Sequence, residues 1–406
     1  MTTANTKSLC LTTDIVILGG GIAGLWLLNR LLIEGYQVLL LEAGALGQGQ
    51  SIASQGIIHG GLKYALDGNL GGAVNAIADM PARWLACLKG KGELDLQTCR
   101  ILSSHYYMWS DGGVRSRLKT FLGSKSLRGR VEALTESSQP GFFRDQQLSG
   151  TVYELPDFVV DTSSLLHSLA DPHSEHLIKV DAESLKFGRD QSGNVSGLEF
   201  TSGQTRVTVD ARRFIFSAGA GNRDLMQGAK LESTDMQLRP LRMVIAKGPA
   251  LPMAFVHCIG DSFSLTPRLT LTSHRCMDGD IAWYMGGELA EKGVTLSDNQ
   301  QIEVAKQLIA ALFPRIELSP TRWTAFLINR AEARLAGLHR PDSVFLNSEK
   351  NVLITWPTKF TLSPALADEV VRTLRMQQLE PLYAGSMETT KLPRPEVALV
   401  PWDERF

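Results

Sequence analysis

Gly19, Gly21 and Gly24 are spaced G-x-G-x-x-G, and Glu42 stands eighteen residues past the last of them. Residues of these types at this spacing bind a nucleotide; they do not break bonds. Gly19 lets the chain turn tightly. Gly21 lets the backbone approach a pyrophosphate, which any Cβ would meet. Gly24 lets a helix pack close to a sheet. The helix that follows, opening at Ile22-Ala23, offers free N–H groups and a positive dipole end to phosphate. A carboxylate at Glu42 is placed to accept ribose hydroxyls. The set points to a bound adenine dinucleotide.

The residues able to act on a substrate come later. His59 lies in a Gly-rich stretch; its imidazole fits a general base by intrinsic pKa, and the plainer reading is a structural hydrogen-bonder. Arg330 and Arg334 fall near the end of an alternating run, where one guanidinium can grip a carboxylate or phosphate bidentately. The plainer reading there is a surface salt bridge. Lys359 precedes a helix start that reads as capped by Ser363, with Pro364 first in the helix. Cation and dipole end together stabilise negative charge.

These groups need a frame. Ile15–Leu18 reads as a buried parallel strand, Ile22–Ile33 as a helix, and Val38–Leu41 as a second strand ending on Glu42. The chain then runs from Ala43 to Leu66 through Gly, Ser, Gln and Ala. Such a stretch suits a long flat ligand, offering N–H groups and small hydroxyls, and favours FAD over NAD. Ala73–Gly90 is helical, bent or broken at Pro81. Leu94–Trp109 suggests strands, with Tyr106, Tyr107 and Trp109 as core. Arg115–Arg130 is a basic, solvated face. Asp161 or Thr162 caps a helix to Ala170; strands follow at Leu177–Phe187 and Val195–Phe200. Gln237–Glu288 is rich in strands. Ser297–Leu312 is an amphipathic helix, and the Pro-rich tail beyond Met376 wraps the surface.

The 406 residues carry 41 Lys and Arg against 42 Asp and Glu, so no nucleic-acid partner is implied. Five scattered cysteines fit reduced thiols and no metal site. No run reaches membrane-span length, and the polar start MTTANTKSLCLTT reads against secretion. A cytoplasmic location follows, with peripheral contact at the inner membrane face kept open.

The pair Glu42-Ala43, then Ser51, then Ala53-Ser54-Gln55-Gly56-Ile57-Ile58-His59-Gly60-Gly61, resembles the flavin-contacting segment of the FAD-dependent D-amino-acid oxidase superfamily. Ile57–Tyr64 is most similar to the glycerol-3-phosphate dehydrogenase branch and its I-H-G-G-L-R-Y run, with Lys63 in place of Arg. Arg213–Asn222 resembles the second flavin motif, through Ala218 and Gly219; no acid-tipped strand follows, so no second dinucleotide site is expected. Arg239–Arg242 resembles the entry strand of the substrate domain. Lys359-Phe360-Thr361 resembles a G-G-K-L-T-T run, with Pro357 and Thr358 where glycines are expected. The helical C-terminal domain usual in that branch is absent from this sequence.

The resemblance implies an α/β fold in which a Rossmann-like FAD/NAD(P)-binding domain interleaves with an α+β substrate domain built on an antiparallel sheet. It implies FAD-binding segments at 12–80, 155–228 and 345–376, substrate segments at 81–154 and 229–344, and a tail at 377–406. Ala182 is the position carried over beside the adenine. Lys63, Tyr64, Arg334 and Lys359 would bind an acidic substrate, and His59 would lie by the flavin. The implied reaction is hydride transfer to flavin N5 from a small anionic hydroxy or amino compound. FAD would be held without a covalent bond, His59 being the one attachment point considered. The electron acceptor would be a quinone, O2 or another carrier. The alternatives are an amine or amino-acid oxidase releasing peroxide, and a flavin-binding protein without turnover.

Overall fold

Continuous apolar runs such as Ile15–Leu18 and Val38–Leu41 are fully or almost fully buried, as strands covered on both faces require. The computed structural model describes residues 7–61, 77–110, 131–259, 267–335, 341, 343–385 and 387–406. In chain order its strands are β1 (Lys7–Leu18), β2 (Val38–Glu42), β3 (Ile57–Ile58), β4 (Ile101–Ser103), β5 (Tyr106–Ser110), β6 (Glu132–Ala133), β7 (Thr151–Leu155), β8 (Phe158–Val160), β9 (Leu177–Lys179) and β10 (Lys186–Arg189). They continue with β11 (Val195–Ser202), β12 (Thr205–Phe216), β13 (Met236–Gly248), β14 (Val256–Ile259), β15 (Leu269–Arg275), β16 (Ile281–Gly286), β17 (Arg322–Ala333), β18 (Phe345–Glu349) and β19 (Val352–Trp356).

β9, β2, β1, β12 and β19 lie side by side and parallel. β10 and β11 extend the first half of β12 antiparallel, and β18 pairs with β19. A second sheet runs β17-β13-β16-β15-β14-β5-β7-β6, antiparallel except where β5 meets β14. A small third sheet joins β3, β8 and β4. The chain therefore enters the parallel sheet, leaves for β5–β7, returns for β9–β12, leaves again for β13–β17, and comes back for β18 and β19. The parallel sheet and its helices fold as a mixed α/β unit beside a mainly antiparallel sheet, as the sequence implies.

The first helix (Ile22–Ile33) is apolar nearly all round because it is covered on both sides. It packs between the parallel sheet, the helix Thr162–Ala170 and the helix Ser363–Met376. The last is braced by Arg83, whose guanidinium donates to Asp368 at 2.6 Å and pairs with Glu93; Glu93 also accepts the Trp26 indole N–H at 3.1 Å. Asp161 caps the helix from Thr162, accepting from Ser164 N at 2.7 Å. Ser297 and Gln300 form a capping box at the start of Asp298–Leu312. Tyr106 is core, its hydroxyl donating to Val256 O at 3.2 Å and Leu271 O at 2.9 Å.

Four expectations need correction. β1 starts at Lys7, not Ile15: its polar half pairs in register with Thr205–Ala211 and buries only alternate residues, so no apolar run marks it. The stretch Leu177–Phe187 is not one strand, because an Asp181-capped turn at Ala182–Ser184 splits it. Ser363 is the first helical residue and not the cap; its hydroxyl donates to Phe360 O at 3.0 Å after a single turn of tighter helix, Phe360–Leu362. The tail does more than wrap the surface, since Leu392, Val400 and Trp402 are buried. Pro81 sits in the first turn of Met80–Leu88, where a missing N–H costs nothing. The basic run Arg115–Arg130 lies outside the described residues. Among the described residues no helix is long and apolar enough to cross a membrane.

Candidate functional site

Loops at the carboxyl ends of parallel strands are where α/β folds bind ligands. Gly19–Gly21 follows β1, Ala43–Gly56 follows β2, Ser217–Gly221 follows β12 and Pro357–Leu362 follows β19. Gly19 has φ +113°, and a Cβ there would lie 2.5 Å from Ala218 Cα. A Cβ on Gly24 would lie 1.9 Å from Gly19 O, so helix and turn touch backbone to backbone. Gly21 differs. Its backbone is extended (φ −75°, ψ −179°), and its Cβ would meet only Ser51 Oγ at 3.1 Å. Packing within the protein scarcely demands glycine there, so the bare backbone leaves room for something to approach it. Ser51 Oγ accepts the Ile22 N–H at 2.9 Å, tying the helix start to the loop after β2. Ala23 is buried in the first turn beside it.

Glu42 accepts from Gly20 N and from Gly44 N, each at 2.6 Å. Its carboxylate thus locks the glycine turn to the loop after β2, and each oxygen keeps a lone pair for a ribose hydroxyl. Gln at 42 has only one acceptor oxygen for two N–H groups. Glu42→Gln is expected to weaken FAD binding about tenfold, read by titrating apoprotein with FAD. An unchanged affinity would remove Glu42 from the site.

The loop after β2 is held from several sides. Ala53 O accepts from Tyr284 OH at 2.8 Å, and Gln55 Nε2 donates to Thr270 O and Tyr284 O at 3.0 Å each. Gln55 therefore turns its side chain to the second sheet and ties this loop to it. Ser54 Oγ accepts from Gly56 N at 3.1 Å. Gly56 has φ +69°, and a Cβ there would lie 2.1 Å from Val160 O. Ile57 then enters the third sheet. Ala43 is exposed beside Glu42.

Thr361 is the joint of the site. Its buried hydroxyl donates to Ile57 O at 3.3 Å and accepts from His59 N at 3.3 Å; its carbonyl accepts the Trp84 indole N–H at 2.9 Å. Phe360 stacks on Trp84 at 6.0 Å between ring centres. Trp356 donates its indole N–H to Gly219 O at 3.0 Å, and Asn222 Oδ1 accepts from Ala218 N at 2.8 Å. The segments around His59, Gly219 and Lys359, far apart in sequence, thus meet. Thr358 takes φ +61°, the left-handed conformation that favours glycine, and its hydroxyl donates to Ser343 O at 2.9 Å. A side-chain bond across to Ser343 therefore accompanies a turn that glycine would otherwise make.

Arg330 lies on the same face of β17 as Phe326 and Ile328, 3.9 Å from Glu291, and directly opposite Arg239 of β13. Arg334 is just past the strand end, 42% exposed and paired with Asp235. Ala182 sits in an exposed turn; two residues earlier, Val180 N donates to Glu42 O at 3.0 Å. Lys63 and Tyr64 lie outside the described residues.

Sequence reading missed Asp157. It is 3% exposed at the β7–β8 turn, and its Oδ1 accepts from Gly60 N at 2.9 Å, next to His59. Burial pushes its carboxyl up to about 7, against a smaller lowering by the Gly60 N–H. The signal was a lone acid inside the apolar run Leu155–Val160.

The DAO family, FAD dependent oxidoreductase, matches residues 14–372. A probable FAD-dependent oxidoreductase of Pseudomonas aeruginosa, PA4991, is 42% identical over 399 residues, 98% of this chain and 99% of its own. The crystal structure of PA4991 aligns with a TM-score of 0.83 at 38% identity, covering 97% of this chain and 98% of that one. L-proline dehydrogenase from P. horikoshii shares the fold at 16% identity (TM-score 0.65, 95% and 96% covered). So does the FAD-bound L-alpha-glycerophosphate oxidase of Mycoplasma pneumoniae, at 13% identity (TM-score 0.64, 90% and 95% covered).

Proposed function

Because the chain belongs to the DAO family of FAD-dependent oxidoreductases, we propose that it oxidises a small anionic hydroxy or amino compound at a C–H bond. FAD is its cofactor, and when bound it supplies the hydride acceptor at N5. The protein's part is to hold, orient and set charge. Gly19, Gly21 and Gly24, with Ile22 and Ala23, take the pyrophosphate; Glu42 takes the ribose, with Ala182 near the adenine. Ala43, Ser51 and the segment Ala53-Ser54-Gln55-Gly56-Ile57 would line the flavin, with Ala218 and Gly219 on another side. Lys359, Phe360 and Thr361, ahead of the helix from Ser363, face the flavin edge that gains negative charge. FAD is held without a covalent bond.

Arg330, Lys63, Tyr64 and Lys359 bind the acidic end of the substrate. Arg334 would join them by exchanging Asp235 for substrate. His59 takes the proton from the donor hydroxyl or amine. The FAD-binding unit comprises 12–80, 155–228 and 345–376; the substrate unit comprises 81–154 and 229–344. A cytoplasmic location, with contact at the inner membrane face, suits a quinone acceptor. The observation that carries this reading is the convergence at Thr361, which joins the His59 and Lys359 segments by hydrogen bonds.

The test is anaerobic bleaching of the yellow holoprotein by a panel of hydroxy acids, amino acids and polyol phosphates. One class should bleach it. Rapid recolouring in air with peroxide would identify an oxidase, and slow recolouring a dehydrogenase using another carrier. Bleaching by none would support a flavin protein without turnover. With the bleaching substrate, His59→Asn should slow reduction about a hundredfold, and reduction at the wild-type rate would remove His59 as the base.

A further inference from the structure

The last residues of the chain touch both ends of the path assigned to FAD. At the nucleotide end, Leu46 N donates to Glu396 O at 2.7 Å and Ala398 N to Leu46 O at 3.0 Å. Lys179 N, on the strand beside Glu42, donates to Pro393 O at 2.9 Å. Leu46 in turn sits against the glycine turn: its Cδ2 would lie 2.5 Å from a Cβ on Gly20, and Gly47 N donates to Gly20 O at 2.8 Å.

The other end enters the second sheet. Trp402 is 2% exposed and stacks on His274 with 3.7 Å between ring centres and planes 19° apart. Its ring lies 5.7 Å from that of Tyr284. Tyr284 is the residue whose hydroxyl holds Ala53 O and whose carbonyl holds Gln55. Lys247, itself 3% exposed, donates to Trp402 O at 3.2 Å and pairs with Asp278 at 2.9 Å. A buried indole, a stacked imidazole and a buried ammonium hold the chain end where a surface strap would need none of them.

We propose that residues 393–402 form a clasp on FAD, with Trp402 as a positioning residue that acts through Tyr284 on the Ala53–Gln55 segment while the Leu46 pairing steadies the glycine turn. FAD leaves only when these loops part, so the clasp sets its rate of departure. The inference rests on FAD as cofactor and not on the substrate reading, so bleaching and cofactor release can fail separately.

The test follows FAD release from holoprotein by its rising fluorescence on dilution, with apoprotein and holoprotein melting temperatures beside it. Trp402→Ala should release FAD about tenfold faster, and Trp402→Phe, which keeps an aromatic ring, should come within about twofold of wild type. Leu382→Ala, at an exposed position of the tail outside the clasp, should release FAD at the wild-type rate. Trp402→Ala releasing FAD at the wild-type rate, or apo and holo melting temperatures falling equally with release unchanged, would overturn the clasp. A Phe variant as fast as the Ala variant would also overturn it. If Trp402→Ala does not fold, Tyr284→Phe decides: it keeps the ring and loses only the bond to Ala53. Release about threefold faster is expected, and the wild-type rate would overturn the proposal.

Discussion

Gly21→Val should yield a folded protein that is colourless. The extended backbone at this position suits a β-branched residue, and a Cβ there meets only Ser51 Oγ at 3.1 Å, which a small hydroxyl shift relieves. A pyrophosphate bound at this turn would have no such freedom, because the helix start would fix its position. FAD affinity should fall by about a thousandfold or more, a loss of roughly 4 kcal/mol, while apoprotein melting stays close to wild type. Equilibrium dialysis against FAD and a thermal melt of the apoproteins read both arms. Gly24→Ala is the contrasting variant. Its Cβ would stand 1.9 Å from Gly19 O, so it should destabilise apoprotein and holoprotein alike. A yellow Gly21→Val protein with wild-type affinity would take the pyrophosphate away from this turn.

The second large effect concerns Asp157 and pH. Burial, the larger influence, pushes this carboxyl up to about 7 from an ordinary value of 3.8. In the folded state it therefore holds its proton between about pH 4 and 7, where the unfolded chain has released it. The native state binds more protons in that window, so stability falls as pH rises through it and levels off above about 7. The slope is about 1.4 kcal/mol per pH unit, a ceiling of about 4 kcal/mol over the window. Asn at 157 can still accept the Gly60 N–H and carries no charge. The stability of Asp157→Asn relative to wild type should thus climb between pH 4 and 7 and be greatest at pH 8. Denaturant unfolding of both proteins at pH 4.5, 6 and 8 gives the difference directly. Parallel curves would show that Asp157 is ionised in the folded protein throughout.

The two predictions sit at opposite ends of what a linear reading can reach. Gly19, Gly21, Gly24 and Glu42 were legible because each acts through its own backbone or a neighbour within one β-α-β unit, so spacing alone encodes the geometry. The helices at Ile22–Ile33, Thr162–Ala170 and Asp298–Leu312 were legible for the same reason: capping and periodicity are local. The polar half of β1 was not, because its partner Thr205–Ala211 lies almost two hundred residues away and the pair buries only alternate side chains. Ser363 looked like a cap because its residue type suits one; the preceding turn at Phe360–Leu362 moved the helix start by one residue.

By itself the sequence determined the dinucleotide turn, the apolar strands behind it, and through its motifs the flavin family, because these depend on residues near one another along the chain. Tertiary structure alone decided that Thr361 joins the His59 and Lys359 segments, that Gln55 faces the second sheet, that the Asp157 carboxylate accepts from Gly60 N, and that Trp402 is buried against His274 and Tyr284. Each of those depends on a hydrogen bond or a desolvated surface shared between distant segments. No spacing rule records such a pairing, since its energy exists only once the backbone has brought the two partners together.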